Sequence, residues 1–189
     1  VDTGAKDLAN SLDEKVTEGL DGLRERLKRY YDLGARFAKW RGVYIIGEKY
    51  PSKLAINSNA HALARYSALV QECGMVPIVE PEVLMDGDHT AEDCLIKTSE
   101  VIQKCFEELL IHKIDLTGII LKPNMILAGN KSKNKVSNEE VSYKTLECLK
   151  KSVPNEVPGI AFLSGGQSEI EATENLNLIN KNNNTNFIM

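Results

Sequence analysis

Apolar positions along this chain follow two alternating rhythms. Residues 20–33 (LDGLRERLKRYYDL) place apolar side chains at three- and four-residue steps with charges between them, which predicts an amphipathic helix with Thr17 as its start signal and Gly34 as its stop. Residues 35–46 (ARFAKWRGVYII) are apolar-rich, glycine-flanked and β-branched at the end, and read as a strand that carries Lys39 and Arg41. Residues 57–74 return to helical spacing, with Asn59 as the expected cap and Gly74 as the terminator. A short apolar run at 75–82 (MVPIVEPE) reads as a second strand, and the turn Asp86-Gly87-Asp88 leads into a helix over 90–112 with one broad apolar face. The pattern repeats with a strand at 118–125 (GIILKPNM), a polar loop to Asn138 and a helix ending at Lys151. A last strand at 159–168 (GIAFLSGGQS) precedes a helix over 169–179.

Strand and helix thus alternate four times, and each strand is nearly continuous in apolar residues, as the strands of a parallel sheet covered by helices are. The fold class is α/β. The strands carry their polar residues toward their C-terminal ends (Lys39 and Arg41, Glu80 and Glu82, Lys122, Ser164), where a (β/α)₈ barrel places its chemistry. A doubly wound nucleotide-binding sheet would also accept such charges, but neither GxGxxG nor GxxxxGK[ST] occurs. The 189 residues read as one domain, 1–189, and fall short of the ~250 of a complete barrel, so the expectation is a partial barrel.

Composition narrows the class further. With 42% hydrophobic and 26% charged residues the chain is of the soluble globular type, and a net charge of -4 gives no electrostatic reason to expect nucleic acid. The four cysteines form no CxxC pair, and Cys94, Cys105 and Cys148 lie in apolar periodic stretches, as reduced core thiols do. No apolar run approaches the ~20 residues that span a bilayer, and the first ten residues lack the order of a signal peptide. A cytoplasmic protein with no membrane partner is expected.

Lys122 follows Ile119-Ile120-Leu121 within a strand, where a buried ammonium is costly unless it is neutral or paired. It either snorkels to the strand end or belongs to a site. Lys39 occupies a similar place on another strand, and two ammonium groups pointed into one barrel mouth repel, which favours a neutral, nucleophilic amine at one of them. Glu80 and Glu82, two positions apart on one strand, share a face roughly 6.6 Å apart, so one can hold a lysine while the other transfers protons. A glycosidase built on this pair, with Lys122 dispensable, is a competing reading. Ser164-Gly165-Gly166 lies between a strand and a helix and offers bare N–H groups to a phosphate, although a tight turn alone would explain it. His61, His89 and His112 show no paired ligand spacing, DGDHT is explained by turn and capping chemistry, and no metal is assigned. Trp40 points away from its charged neighbours and is expected to pack against a helix.

The strings GARFAKWR (34–41), VPIVEPEVLMDGDH (76–89), ILKPNM (120–125) and PGIAFLSGGQSE (158–169), with VDTGAK and EGLDGLRERL before them, resemble class I fructose-1,6-bisphosphate aldolase, in its bacterial and plastid form more than the animal one. The resemblance implies a cofactor-free, metal-independent aldol cleavage of a sugar phosphate on a (β/α)₈ barrel, in a homotetramer. It implies Lys122 as the Schiff-base lysine, Lys39 beside it, and Arg41 on substrate hydroxyl or phosphate. It assigns Glu80 as proton shuttle, Glu82 as the residue orienting the lysines, and Ser164 and Gly165 as the phosphate turn. It also places the chain between the end of the third strand and the start of the eighth, at residues 187–189. The family's first-strand aspartate, the lysine before its VD motif and its eighth-strand serine and arginine have no counterpart here. A non-catalytic remnant that keeps anion affinity through Arg41 and the Ser164 turn is the alternative.

Overall fold

The computed structural model describes residues 1–189. An antiparallel hairpin, β1 (Gly4–Asp7) and β2 (Lys15–Glu18), opens the chain, followed by α1 (Leu23–Asp32) and β3 (Phe37–Tyr44). Then come α2 (Lys53–Glu72), β4 (Val76–Val83), α3 (Ala91–Ile111), a 3-10 turn at Leu116–Gly118 and β5 (Ile120–Leu121). The chain ends with α4 (Asn138–Ser152), β6 (Gly159–Ile160) and α5 (Glu169–Asn182). The four strands β3-β4-β5-β6 form one parallel sheet in chain order. Beyond β6, Gly159 makes a parallel bridge to Ile188, and the Ile160 N–H donates to the Ile188 carbonyl at 2.9 Å.

The alternation expected of β3 is present. Ala38, Trp40, Gly42 and Tyr44 are buried toward the helices, whereas Phe37, Lys39 and Arg41 point to the open inner face. Trp40 packs on Tyr66 of α2 with ring centroids 5.5 Å apart, and the Tyr66 hydroxyl donates to the Ile78 carbonyl at 3.2 Å. Phe37 and Val76 leave the lower inner face apolar and exposed, as an open part-barrel must.

Local signals place most elements, and the exceptions have identifiable causes. Thr90 caps α3 in a capping box with Asp93, whose side chain accepts from the Thr90 N–H at 2.9 Å. Thr17 starts no helix. It sits in β2, its hydroxyl donates to the Arg41 carbonyl, and α1 begins after Gly22, which adopts a left-handed φ of 64°. Asn59 is likewise not a cap, because α2 begins four residues before 57, at Lys53, with Ser52 accepting from the Ala55 N–H at 3.2 Å. Fully buried within α2, Asn59 donates to the Lys15 carbonyl at 2.8 Å and accepts from the Thr17 N–H at 3.2 Å, fastening the hairpin to the barrel. A side chain at Gly42 would meet Asn59 at 3.3 Å, so the strand is smallest where this bracket passes.

The runs at 118–125 and 159–168 shrink to two ladder residues each. Pro123 has no N–H to give, and the Val83 N–H is taken by the Asn124 side chain at 3.0 Å in place of a strand carbonyl. Gly165 and Gly166, with φ of 61° and 82°, turn the other run out of the sheet. The two segments still run side by side, since the Ala161 N–H donates to the Leu121 carbonyl at 2.9 Å.

All four cysteines are free, with Cys94, Cys105 and Cys148 buried and Cys73 partly exposed at the end of α2. Burial pushes the Cys105 and Cys148 thiols up to about 12. A thiol reagent at about pH 8 is therefore expected to label Cys73 alone in the folded chain, and the other three only on unfolding. Mass-mapped alkylation with and without denaturant reads this out.

Candidate active site

The inner face of the sheet carries a polar ladder at its upper end. Register pairs Lys39 with Ile78, Arg41 with Glu80 and Val43 with Glu82, while Leu121 pairs with Val79, which sets Lys122 level with Glu80. Lys39 is thus the third residue of an eight-residue strand and not at its C-terminal end as expected. Its four-carbon stem has to reach upward to join the others.

Glu80 is the centre of the group. Its carboxylate, only 3% exposed, lies between both amines, with Lys39 Nζ 2.9 Å from Oε2 and Lys122 Nζ 3.0 Å from Oε1. Lys122 is the more enclosed amine, 28% exposed against 43% for Lys39. Two cations on one buried carboxylate leave net positive charge at this point, so a group that gains negative charge there is stabilised.

Glu82, 8% exposed, accepts from Arg41 Nε and contacts neither lysine. The lysine-orienting contact that the resemblance assigns to Glu82 is therefore made by Glu80. Register is the reason, because Glu82 stands two residues above Lys122 and four above Lys39, whereas Arg41 starts level with Glu80 and reaches it. The hydrogen bond that Arg41 donates to Glu82 raises its guanidinium further above its ordinary value against the opposing effect of burial, and the charges of Glu82, Glu80 and Asp2 add to it. Arg41→Ala would leave Glu82 buried without its cation, which costs about 3 kcal/mol, the low end for a broken buried pair because Arg41 is itself half exposed. Urea unfolding of the variant measures this.

Ser164 and Gly165 sit in the turn after β6, where the Gln167 N–H donates to the Ser164 carbonyl at 3.2 Å. The Gln167 side chain braces the turn, donating to the Ser164 carbonyl at 2.6 Å and accepting from Asn175 at 2.6 Å. Ser168 then caps α5, so exposed backbone N–H groups and a helix N-terminus adjoin the turn.

Asn124 is the positioning residue that pattern reading passed over. Besides holding the end of β4, it donates to Thr98 Oγ1 of α3 at 3.1 Å and to the Met125 carbonyl at 3.1 Å, pinning the segment just after Lys122. A buried asparagine two residues past a strand lysine was the available signal. His89 is buried with neither ring nitrogen partnered, and burial lowers its protonation range against the opposing charges of Asp93 and Asp88. It lies in the turn after β4, as capping chemistry implied. Local spacing offered no reason to group the histidines, yet His61 and His112 meet edge to face with ring centroids 5.0 Å apart.

A parallel sheet under helices, with its charged side chains gathered toward the upper ends of neighbouring strands, defines a part-barrel of the (β/α) type. A family model described as fructose-bisphosphate aldolase class-I matches residues 1–188, and the chain belongs to that family. The chain is 51% identical over 181 residues to cytosolic fructose-bisphosphate aldolase 4 of Arabidopsis thaliana, covering 96% of this chain and 46% of that protein. It is 54% identical over 177 residues to a probable class 1 fructose-bisphosphate aldolase of Xanthomonas campestris, covering 94% and 53%. Among solved structures, Plasmodium falciparum fructose-bisphosphate aldolase, in complex with TRAP and a small-molecule inhibitor, superposes with a TM-score of 0.97 at 44% identity. That match covers 99% of this chain and 55% of the other. The chain spans about half the length of the curated relatives it matches. None of its helices is long and apolar enough to cross a membrane.

Proposed function

We propose that this chain carries the imine-forming part of a class I fructose-bisphosphate aldolase. The reaction is the glycolytic, reversible cleavage of fructose 1,6-bisphosphate to dihydroxyacetone phosphate and glyceraldehyde 3-phosphate. The observation that carries the reading is the Glu80 carboxylate of β4 held between Lys39 of β3 and Lys122 just past β5, in a member of this family.

In this reading Lys122 Nζ, its proton passed to Glu80, attacks the keto carbon; Glu80 then returns that proton to the carbinolamine hydroxyl, which leaves as water and gives a protonated imine with Glu80 again a carboxylate. The imine draws in the electron pair of the breaking carbon–carbon bond while Glu80 takes the proton of the neighbouring hydroxyl, releasing the aldehyde. Protonation of the resulting enamine and hydrolysis return the amine. Lys39 stabilises developing oxyanion charge, Glu82 holds Arg41 toward the substrate, and Ser164 with Gly165 receives a phosphate. Residues 1–189 are read as one part-barrel unit of a cytoplasmic homotetramer that binds sugar phosphate.

The test is borohydride reduction of the chain with dihydroxyacetone phosphate or fructose 1,6-bisphosphate, followed by intact mass. A covalent adduct, together with cleavage above a Lys122→Met control, supports catalysis. An adduct without cleavage assigns the chain a binding role, and no adduct overturns the proposal.

A further inference from the structure

On the outer side of the helical layer, α2 and α3 bring together three side chains that the aldol chemistry does not use. His61 projects from α2, and Glu108 and His112 stand four residues apart on α3, so they share one face of that helix. One ligand-type atom from each of the three lies within 4.8 Å of the others. His61 Nδ1 is 3.2 Å and His112 Nδ1 3.9 Å from the same carboxylate oxygen, Glu108 Oε2. The other oxygen, Oε1, is occupied by Lys104 at 3.4 Å, so the carboxylate is oriented with one edge turned to the imidazoles.

Two further features suit a cation. Glu108 is largely enclosed, with its side chain 14% exposed, and is fixed on its other edge by Lys104. His112 Nδ1 lies 2.9 Å from the Glu108 main-chain carbonyl; as an N–H it donates there, leaving the lone pair on Nε2. A ring nitrogen tied to a carbonyl is the usual support of a ligating histidine. Against these stand Lys104 and, around the same recess, Arg24 and Arg65; Arg24 is neutralised by Glu72, its Nε 2.7 Å from Oε1.

We infer that His61, Glu108 and His112 form a site for a divalent transition ion of the zinc type, with two nitrogens, one carboxylate oxygen and a fourth position open to water. Metal bonds of about 2.0–2.2 Å place tetrahedral ligand atoms about 3.3 Å apart, and one ligand-type atom of each residue already lies within 4.8 Å of the others, so the group closes by side-chain rotation, chiefly of the half-exposed His61. The ion would cross-link α2 to α3, the helices that cover β3 and β4. Because α3 runs back from the upper ends of the strands, its last turn lies toward the end of the sheet away from Lys122. The site is accordingly structural and separate from the amine chemistry.

Co²⁺ titration of the purified chain, followed by visible absorption and displaced by Zn²⁺, tests the site. The expected result is saturable one-to-one binding with four-coordinate absorption, and a Zn²⁺-dependent rise in melting temperature. His61→Ala and His112→Ala should each weaken binding by more than about tenfold, since even outer-shell losses do so. His89→Gln and Cys73→Ser should leave it unchanged, and all variants should remain folded by melting in chelator. No absorption at millimolar metal overturns the proposal. Binding that survives the His61→Ala/His112→Ala double variant overturns it equally, leaving the cluster as an ion-paired contact between helices.

Discussion

Lys122→Ala is expected to abolish the borohydride-trapped adduct and to lower turnover on the order of 10⁵-fold or more, the scale on which loss of a covalent nucleophile is felt elsewhere. Two strand lysines touch the same carboxylate, at 2.9 and 3.0 Å, so distance alone does not choose between them. Position does. Lys122 is level with Glu80, more enclosed than Lys39, and held by Pro123 and by the network of Asn124 behind it. Lys39 rises from mid-strand into a more open space beside Arg41 and suits an ammonium that stabilises oxyanion charge. The lysine pair should therefore respond unequally, with Lys39→Ala slowing adduct formation while leaving a reducible adduct on residue 122. Peptide mapping that found the reduced adduct on Lys39 in the unaltered chain would reverse the assignment.

Glu80→Gln is expected to reduce carbon–carbon cleavage by roughly 10²- to 10⁴-fold, the usual contribution of a placed acid–base group, while an adduct on Lys122 can still be trapped. Glutamine preserves the shape of the side chain between the two amines but accepts no proton. Both lysines then lose their counter-charge at once. Glu82→Gln, at a residue that touches Arg41 and neither lysine, should leave the cleavage step largely in place and act mainly on substrate affinity. Rapid-quench cleavage kinetics beside trapping, across a range of substrate concentrations, separates the two. If trapping falls as far as cleavage in Glu80→Gln, Glu80 only positions the lysines.

The order of elements, the faces of the strands and most helix ends are legible in the chain, because each is set by neighbours within a few residues. The alternation from Phe37 to Tyr44 tells Trp40 from Lys39 and Arg41, and Thr90 with Asp93 writes the start of α3 in four residues. Local signals mislead where a distant partner claims the residue. Asn59 and Thr17 have the composition of caps but are spent joining the hairpin to α2, and Asn124 shortens β5 by answering Val83 across 41 residues. The chemistry divides in the same way. That lysines and glutamates meet at the upper inner face follows from period and strand order. Which carboxylate faces which cation depends on inter-strand register, and that is a property of hydrogen bonds between segments 40 residues apart. Glu80 takes both lysines and Glu82 takes Arg41 because Arg41 pairs with Glu80 across β3 and β4 and Leu121 with Val79 across β4 and β5, facts no single segment contains. The meeting of His61 with Glu108 and His112 is of the same kind. The four-residue step on α3 is written in the sequence, but the third member arrives only when α2 packs against it.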